Sequence, residues 1–307
     1  MTTDTTKTTC AGFVALIGAP NAGKSTLLNQ LVGQKVAIVT HKAQTTRARI
    51  RGITMEGNSQ IVFVDTPGIF TPKRRLDRAM VAAAWGGAEE ADATALIVDA
   101  KRTSPEHEGF QAILASLKDA KMPLVLVLNK VDEAPKERLM QLAAIANEAV
   151  PFAHTFMISA LSGSGVDDLR ACLAEMMPEG PYLYPEDQVA DLSQRVLAAE
   201  ITREKLFLRL HEELPYATTV ETEAWEPRKD GSVKISQVIY VERDGQKGIV
   251  LGKGGATVKD IGQAARKDIE DALGIKVHLF LFVKVRENWA DDPERYRMMG
   301  LDYPGRA

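Results

Sequence analysis

The chain has 307 residues, 45% of them hydrophobic, with 14 prolines, two cysteines and a formal net charge of −3. That length suits two domains, and that apolar content excludes a chain disordered throughout. No apolar run approaches the ~18 residues that a membrane span needs. Cys10 and Cys172 resemble no metal motif, which points to a reducing cytoplasmic compartment. The five histidines (His41, His107, His154, His211 and His278) show no ligand spacing. Met1 to Thr9 is polar and rich in threonine, so residues 1–9 read as a disordered tail and not as a signal peptide.

Residues 13–17, Phe-Val-Ala-Leu-Ile, form an apolar run short and β-branched enough for a buried strand. Gly18, Ala19, Pro20, Asn21, Ala22, Gly23, Lys24 and Ser25 follow, and Thr26 opens a stretch of helical spacing. A strand, a glycine-rich turn and a helix give G-x-x-x-x-G-K-S its mechanism as a phosphate cradle. The glycines let backbone N–H groups wrap phosphates, and the helix N-terminus adds partial positive charge. Lys24 would reach the β- and γ-phosphates, and Ser25 would ligate Mg²⁺.

Three later signals decide which nucleotide is bound. Asp65-Thr66-Pro67-Gly68 follows an apolar strand over 60–64; Asp65 can hold a Mg²⁺ water, and the Gly68 N–H can sense a γ-phosphate. Asn129-Lys130-Val131-Asp132 follows another strand over 124–128. Asp132 can accept from the N1–H and the N2 amino group of guanine, a donor pair that adenine lacks. Asn129 would brace the loop and the Lys130 stem would cover the base. Ser159, Ala160 and Leu161 follow Phe156-Met157-Ile158, placing a backbone N–H within reach of guanine O6. Four such signals in this order, each at a strand's carboxyl end, specify GTP over ATP.

The order resembles that of translational GTPases. Gln44-Thr45-Thr46-Arg47-Ala48-Arg49 lies where their first switch belongs, and the resemblance implies that one of its two threonines, Thr45 or Thr46, ligates Mg²⁺ with GTP bound, with Thr46 the favoured one. Signalling GTPases place a water-orienting Gln directly after the D-x-x-G glycine, but Ile69 stands there. The chain thus resembles GTPases with a hydrophobic replacement, in many of which the phosphate-loop asparagine, here Asn21, helps hold K⁺. The implied catalytic set is Asn21, Lys24, Thr46 and Gly68, with slow intrinsic hydrolysis.

The alternating strand and helix patterns predict a doubly wound, mostly parallel α/β sheet over 10–177, with the ligand loops at its carboxyl edge. Residues 178–190 hold three prolines and a glycine and read as a linker. A smaller α+β domain follows over 191–290, then a tail over 291–307. A helix is expected over 192–214, strands over 216–225, 232–241 and 276–285, and a helix opening at Ala256. Between them Ile249, Val250, Leu251, Gly252, Lys253, Gly254 and Gly255 form a Gly-x-x-Gly turn between helices, as in KH domains that clamp an RNA backbone. Ile249, Val250 and Leu251 would line the groove, with Lys253 and Lys259 beside the phosphates. Residues 228–286 carry twelve Lys/Arg against seven Asp/Glu in an otherwise acidic chain, the footprint of a backbone-binding module.

A GTPase domain joined to a C-terminal type II KH domain resembles the Era family of bacterial GTPases along nearly the whole chain. The resemblance implies a monomeric GTPase that assists assembly of the small (30S) ribosomal subunit, holds the 3′ end of its rRNA, and associates peripherally with the inner membrane. Two other readings stay open: a GTPase of a tRNA-modification or signalling class, and an RNA chaperone that binds nucleotide with negligible hydrolysis.

Overall fold

The computed structural model describes residues 8–42, 44–72 and 74–304. Contacts divide the chain into two compact units, Met1–Val36 with Thr46–Asp191, and Ala37–Thr45 with Leu192–Ala307. In the first, β1 (Cys10–Ile17), α1 (Lys24–Val32), β2 (Ile50–Glu56), β3 (Ser59–Asp65), α2 (Arg75–Glu89), β4 (Ala93–Asp99), α3 (Glu108–Leu117), β5 (Leu124–Asn129), α4 (Lys136–Ala149), β6 (His154–Ile158) and α5 (Val166–Glu175) follow in order. The sheet runs β2-β3-β1-β4-β5-β6 and is parallel except for β2, which pairs antiparallel with β3. Strands β4 and β5 are buried at every position, as a parallel sheet covered on both faces requires. Helices α1 and α5 pack together over β2 and β3. Phe110, Ile113, Leu114, Leu139 and Leu142 of α3 and α4 share one core with β1, β4 and β5.

The stretch expected to be a linker belongs to this unit. Ile53 N–H donates to Val189 O at 2.9 Å, and Asp191 N–H to Arg51 O at 3.1 Å, so residues 189–191 lie along the free edge of β2. The buried Gln60 accepts from the Leu183 and Tyr184 N–H groups and donates to Tyr184 O. Prolines favour extended backbone, and extended backbone can close a sheet edge as readily as it can span a gap. Of the expected N-terminal tail, residues 1–7 lie outside the described residues, and Thr9 is bonded to Gly180.

The second unit holds α6 (Gln194–Arg209), β7 (Thr218–Pro227), β8 (Val233–Val241), α7 (Asp244–Leu251), α8 (Ala256–Leu273), β9 (Val277–Val285) and the short α9 (Pro293–Met298). Its sheet has the order β7-β8-β9, antiparallel then parallel. Helix α6 stops at Arg209, five residues before the predicted end, where Leu210 turns to ψ 154°. Of the expected C-terminal tail, residues 305–307 lie outside the described residues, and Pro293–Met298 form α9. Trp289 is buried with its Nε1–H on Ala217 O at 3.0 Å. Arg295 lies 4.7 Å over the Tyr240 ring and pairs with Glu221.

Candidate functional site

Four loops meet at the carboxyl edge of the first sheet. Gly18 (φ 146°) and Gly23 (φ 98°) turn the phosphate loop, and a Cβ on either would sit 2.2 Å from a neighbouring atom, Ile97 O or Asn129 Nδ2. Asn21 also lies at positive φ, 63°. The Lys24 ammonium donates to Gly18 O and Ala19 O, both at 3.1 Å, and is 6% exposed. Burial lowers its pKa from 10.5 to about 8, against the opposing pull of Asp65. Burial likewise pushes the Asp65 carboxyl up, opposed by Lys24, Ser25, Thr46 and Thr66.

Ser25 Oγ donates to Asp65 Oδ2 at 2.6 Å, and Thr46 Oγ1 lies 2.9 Å from Ser25 Oγ and 3.4 Å from that same carboxylate oxygen. Asp65 Oδ1 is buried without a hydrogen-bond partner. One orphaned carboxylate oxygen and two hydroxyls make an all-oxygen donor set, which suits a hard cation such as Mg²⁺. Thr45 points elsewhere: its hydroxyl donates to Lys42 O at 2.7 Å and lies 2.6 Å from that of Thr40.

Gly68 is buried against the phosphate loop, where a Cβ would meet Pro20 N at 2.7 Å. The next N–H, of Ile69, donates to Gly18 O at 3.0 Å, while the Ile69 side chain packs on the α3–α4 core. The position that signalling GTPases give to glutamine therefore supports the loop through apolar packing.

On the base side, Asn129 Nδ2 donates to Ala22 O at 2.8 Å, and its Oδ1 accepts from the N–H groups of Lys130 and Ala160 at 2.8 and 2.9 Å. One amide thus ties the phosphate loop to the loops that begin at Lys130 and Ser159. Lys130 donates to Asn21 O at 2.8 Å. Asp132 is exposed in a short 3-10 turn, Ser159 is buried, and Leu161 is 81% exposed. Sequence reading missed Asp99, whose Oδ2 holds the Lys130 ammonium at 2.6 Å. Its signal was present, a carboxylate ending an apolar strand as Asp65 does.

In the second unit the Gly-x-x-Gly turn joins α7 to α8. Gly252 (φ 72°) admits no side chain, since a Cβ would meet Thr257 Oγ1 at 2.2 Å. Gly254 (φ 59°) and Gly255 (φ 80°) face open space. Lys253 and Lys259 are exposed, Ile249 is 61% exposed, and Leu251 is half-buried. Val250 does not line a groove: it is fully buried among Leu206, Ile239, Ile261 and Val283. In a helix, consecutive residues point about 100° apart, so three in a row cannot share one face.

A phosphate loop, a D-T-P-G turn and an N-K-x-D loop on one sheet edge, followed by a KH module, define a GTPase with an RNA-binding-type domain. Residues 13–130 match the family described as 50S ribosome-binding GTPase, and residues 213–290 match the KH domain. The chain is 68% identical over 296 residues to the protein named GTPase Era of Brucella suis biovar 1, covering 96% of this chain and 94% of that one. It is 65% identical over 309 residues to GTPase Era of Rhizobium meliloti, covering 98% of each. Its structure is similar to that of a single-residue variant of Aquifex aeolicus Era bound to GDP·AlF4−, with TM-score 0.87, 38% identity, and 95% and 99% of the two chains covered. It is also similar to Era in complex with MgGDPNP and nucleotides 1506–1542 of 16S ribosomal RNA, with TM-score 0.88, 38% identity and the same coverage. The chain belongs to the Era family of GTPases.

Proposed function

We propose that this GTPase cycles between GTP and GDP and in doing so holds and releases the 3′ end of small-subunit rRNA, assisting 30S assembly. The observation that carries the nucleotide half is the buried Ser25–Asp65–Thr46 cluster beside Lys24. Ser25 and Thr46 would hold Mg²⁺ directly and Asp65 through a water; bound there, the ion neutralises phosphate charge and orients the γ-phosphate. Lys24 exchanges its two carbonyl partners for β- and γ-phosphate oxygens. The Gly68 N–H would donate to the γ-phosphate, and Asp132 and a backbone N–H of the 159–161 loop would read guanine. With Ile69 turned into the core, no side chain at that position orients water, so turnover rests on positioning and is slow. Asn21 would help hold K⁺ beside the phosphates.

The RNA half is supported by the open glycine turn, where a phosphate can approach backbone without meeting a Cβ, and by the family. Among the described residues no helix is long and apolar enough to cross a membrane. The peripheral membrane association implied by the family would then rest on surface contact, and flotation with inner-membrane vesicles checks it.

The test is multiple-turnover GTP hydrolysis by the full chain in KCl and in NaCl at equal ionic strength, with gel-filtration mass as the control for a monomer. The reading expects turnover, several-fold faster in KCl, and Asn21→Ala should abolish the difference while leaving GDP binding intact. Absence of turnover in both salts contradicts the hydrolytic reading; equal turnover removes K⁺ alone.

A further inference from the structure

Asp99 is the last residue of β4 and the register partner of Asn129 on β5. Lys130, next after Asn129, is therefore carried over the end of β4, and its ammonium donates to Asp99 Oδ2 at 2.6 Å. The other carboxylate oxygen, Oδ1, accepts from the Lys101 and Arg102 N–H groups at 3.0 and 3.1 Å. Both oxygens of this carboxylate, on a residue 7% exposed, are thus committed: one to its own turn, one to a cation from the neighbouring strand.

That cation is shared. The same Lys130 ammonium donates to Asn21 O at 2.8 Å, at the crown of the phosphate loop. Asn21 has φ 63° and Lys130 φ 65°, so one bond joins two side-chain-bearing residues in left-handed backbone. Such conformations cost free energy and persist only where their surroundings hold them. Close packing does not do so on the side of β4 and α3. A cavity of about 170 Å³ lies there, lined by Ala19, Pro20 and Asn21 of the loop together with Val98, Thr103 and Phe110. A cavity wall lacks partner atoms on one side and forfeits those contacts. The crown therefore relies on polar bonds, among them Lys130 on Asn21 O and Asn129 Nδ2 on Ala22 O.

We infer that Asp99 is a positioning residue for the nucleotide site: by holding the Lys130 ammonium it keeps that cation on Asn21 O and the lysine stem in place to cover guanine. The inference rests on the proposed binding of GTP at this sheet edge and adds a residue that none of the four loop motifs contains. Freed from the carboxylate, the lysine regains its rotamers and its hydration, and the crown loses a bond. Asparagine at 99 cannot stand in, because an amide has one oxygen and one NH2. Whichever way it turns, its NH2 meets either the ammonium or the two N–H donors of the turn. Serine keeps the turn, since its hydroxyl can accept from a backbone N–H two residues on, and removes only the partner of Lys130.

The experiment measures the dissociation rate of fluorescent GDP from the full-length protein in Mg²⁺ for wild type, Asp99→Asn, Asp99→Ser, Lys130→Met and the Asp99→Ser/Lys130→Met pair, with a melting curve to establish that each variant is folded. The expected result is release about tenfold faster in Asp99→Asn and in Asp99→Ser, as the loss of one charge-assisted bond gives. The pair should release GDP no faster than Lys130→Met alone, since two residues acting through one group do not add. A carboxylate that served only its own turn would give another result, with Asp99→Ser releasing GDP as slowly as wild type. That outcome, or full additivity in the pair, overturns the inference. Should one of the two Asp99 variants fail to fold, the other decides. Wild type that retains no guanine nucleotide would instead contradict the proposed function itself.

Discussion

Gly23 and Gly254 both sit at positive φ in glycine-rich turns, yet a Cβ on Gly23 would lie 2.2 Å from Asn129 Nδ2 while one on Gly254 would meet nothing within 4 Å. The first turn is closed by its own protein. Asn129, Lys130 and Lys24 all donate to backbone carbonyls of residues 18–22, and Asp99 holds Lys130 in place. The second turn is left open, with Lys253 and Lys259 at the surface. A small ligand that must be gripped on every side calls for a prearranged cage. A polymer that is only traversed calls for a bare strip of backbone and nearby positive charge. Substitutions should therefore fail in different ways in the two turns.

The largest effect is expected at the open turn. Gly254→Asp introduces a carboxylate into open space, and the strain of a side chain at φ 59° is smaller for Asp than for most residues. A like charge set against phosphate costs several kcal/mol, so RNA affinity should fall about a hundredfold. GDP affinity should not move, and thermal stability should fall only slightly, by the strain of a side chain at positive φ. RNA titration by fluorescence anisotropy, paired with a melting curve, checks this; a matching loss of stability would mean that the turn is braced after all.

Asp132→Asn comes next. It replaces an acceptor with an amide and keeps the size of an exposed side chain. Losing a charged hydrogen bond worth about 1.5–3 kcal/mol should weaken GTP at least about tenfold and shift preference toward xanthosine nucleotide. Nucleotide competition against fluorescent GDP reads this, and unchanged GTP binding would remove Asp132 from the base site.

The most gradual effect follows from Lys24. Its pKa falls from 10.5 to about 8 in the nucleotide-free fold because burial disfavours the charge. Between those values the unfolded chain binds more protons than the folded one, so the stability of the nucleotide-free protein should rise with pH across that window. Phosphate beside Lys24 favours the charged form, so nucleotide binding takes up a proton above about pH 8. GDP affinity should decline from about pH 8 toward about pH 10, by at most about tenfold per unit. Calorimetry near pH 9 in two buffers of different ionisation heat should show that uptake; a flat affinity from about pH 7 to about pH 10 would contradict a cage that dehydrates Lys24.

Much of the nucleotide site could be read in advance because parallel strands buried on both faces are nearly unbroken apolar runs, and each ligand loop sits where such a run stops. The structure places Asp65, Asn129 and Ser159 at or just past the ends of such strands. The burial of Arg203 in the second unit could not be read in advance, because Glu200, Arg203, Glu204 and Lys205 look like the solvated face of a helix. What buries Arg203 is a segment more than 150 residues earlier in the chain, and no local period records that contact. Residues 178–190 were misjudged for a related reason. Proline content reports extended backbone but not whether a sheet edge is waiting for it, and here the edge of β2 and the amide of Gln60 take it up. Val250 was lost to counting apolar residues without counting angle.

The central claim is that nucleotide and RNA act on one device and not on two tethered binders. The direct test is the affinity of the full chain for an RNA corresponding to nucleotides 1506–1542 of 16S ribosomal RNA, the segment bound by the structural relative, measured with saturating Mg²⁺–GDPNP and again with GDP. Linkage requires that any strengthening of RNA by GDPNP be matched by an equal strengthening of GDPNP by RNA. The account predicts a difference between the two nucleotide states of about five- to hundredfold, as couplings of about 1–3 kcal/mol give. Equal RNA affinity in both states would contradict it.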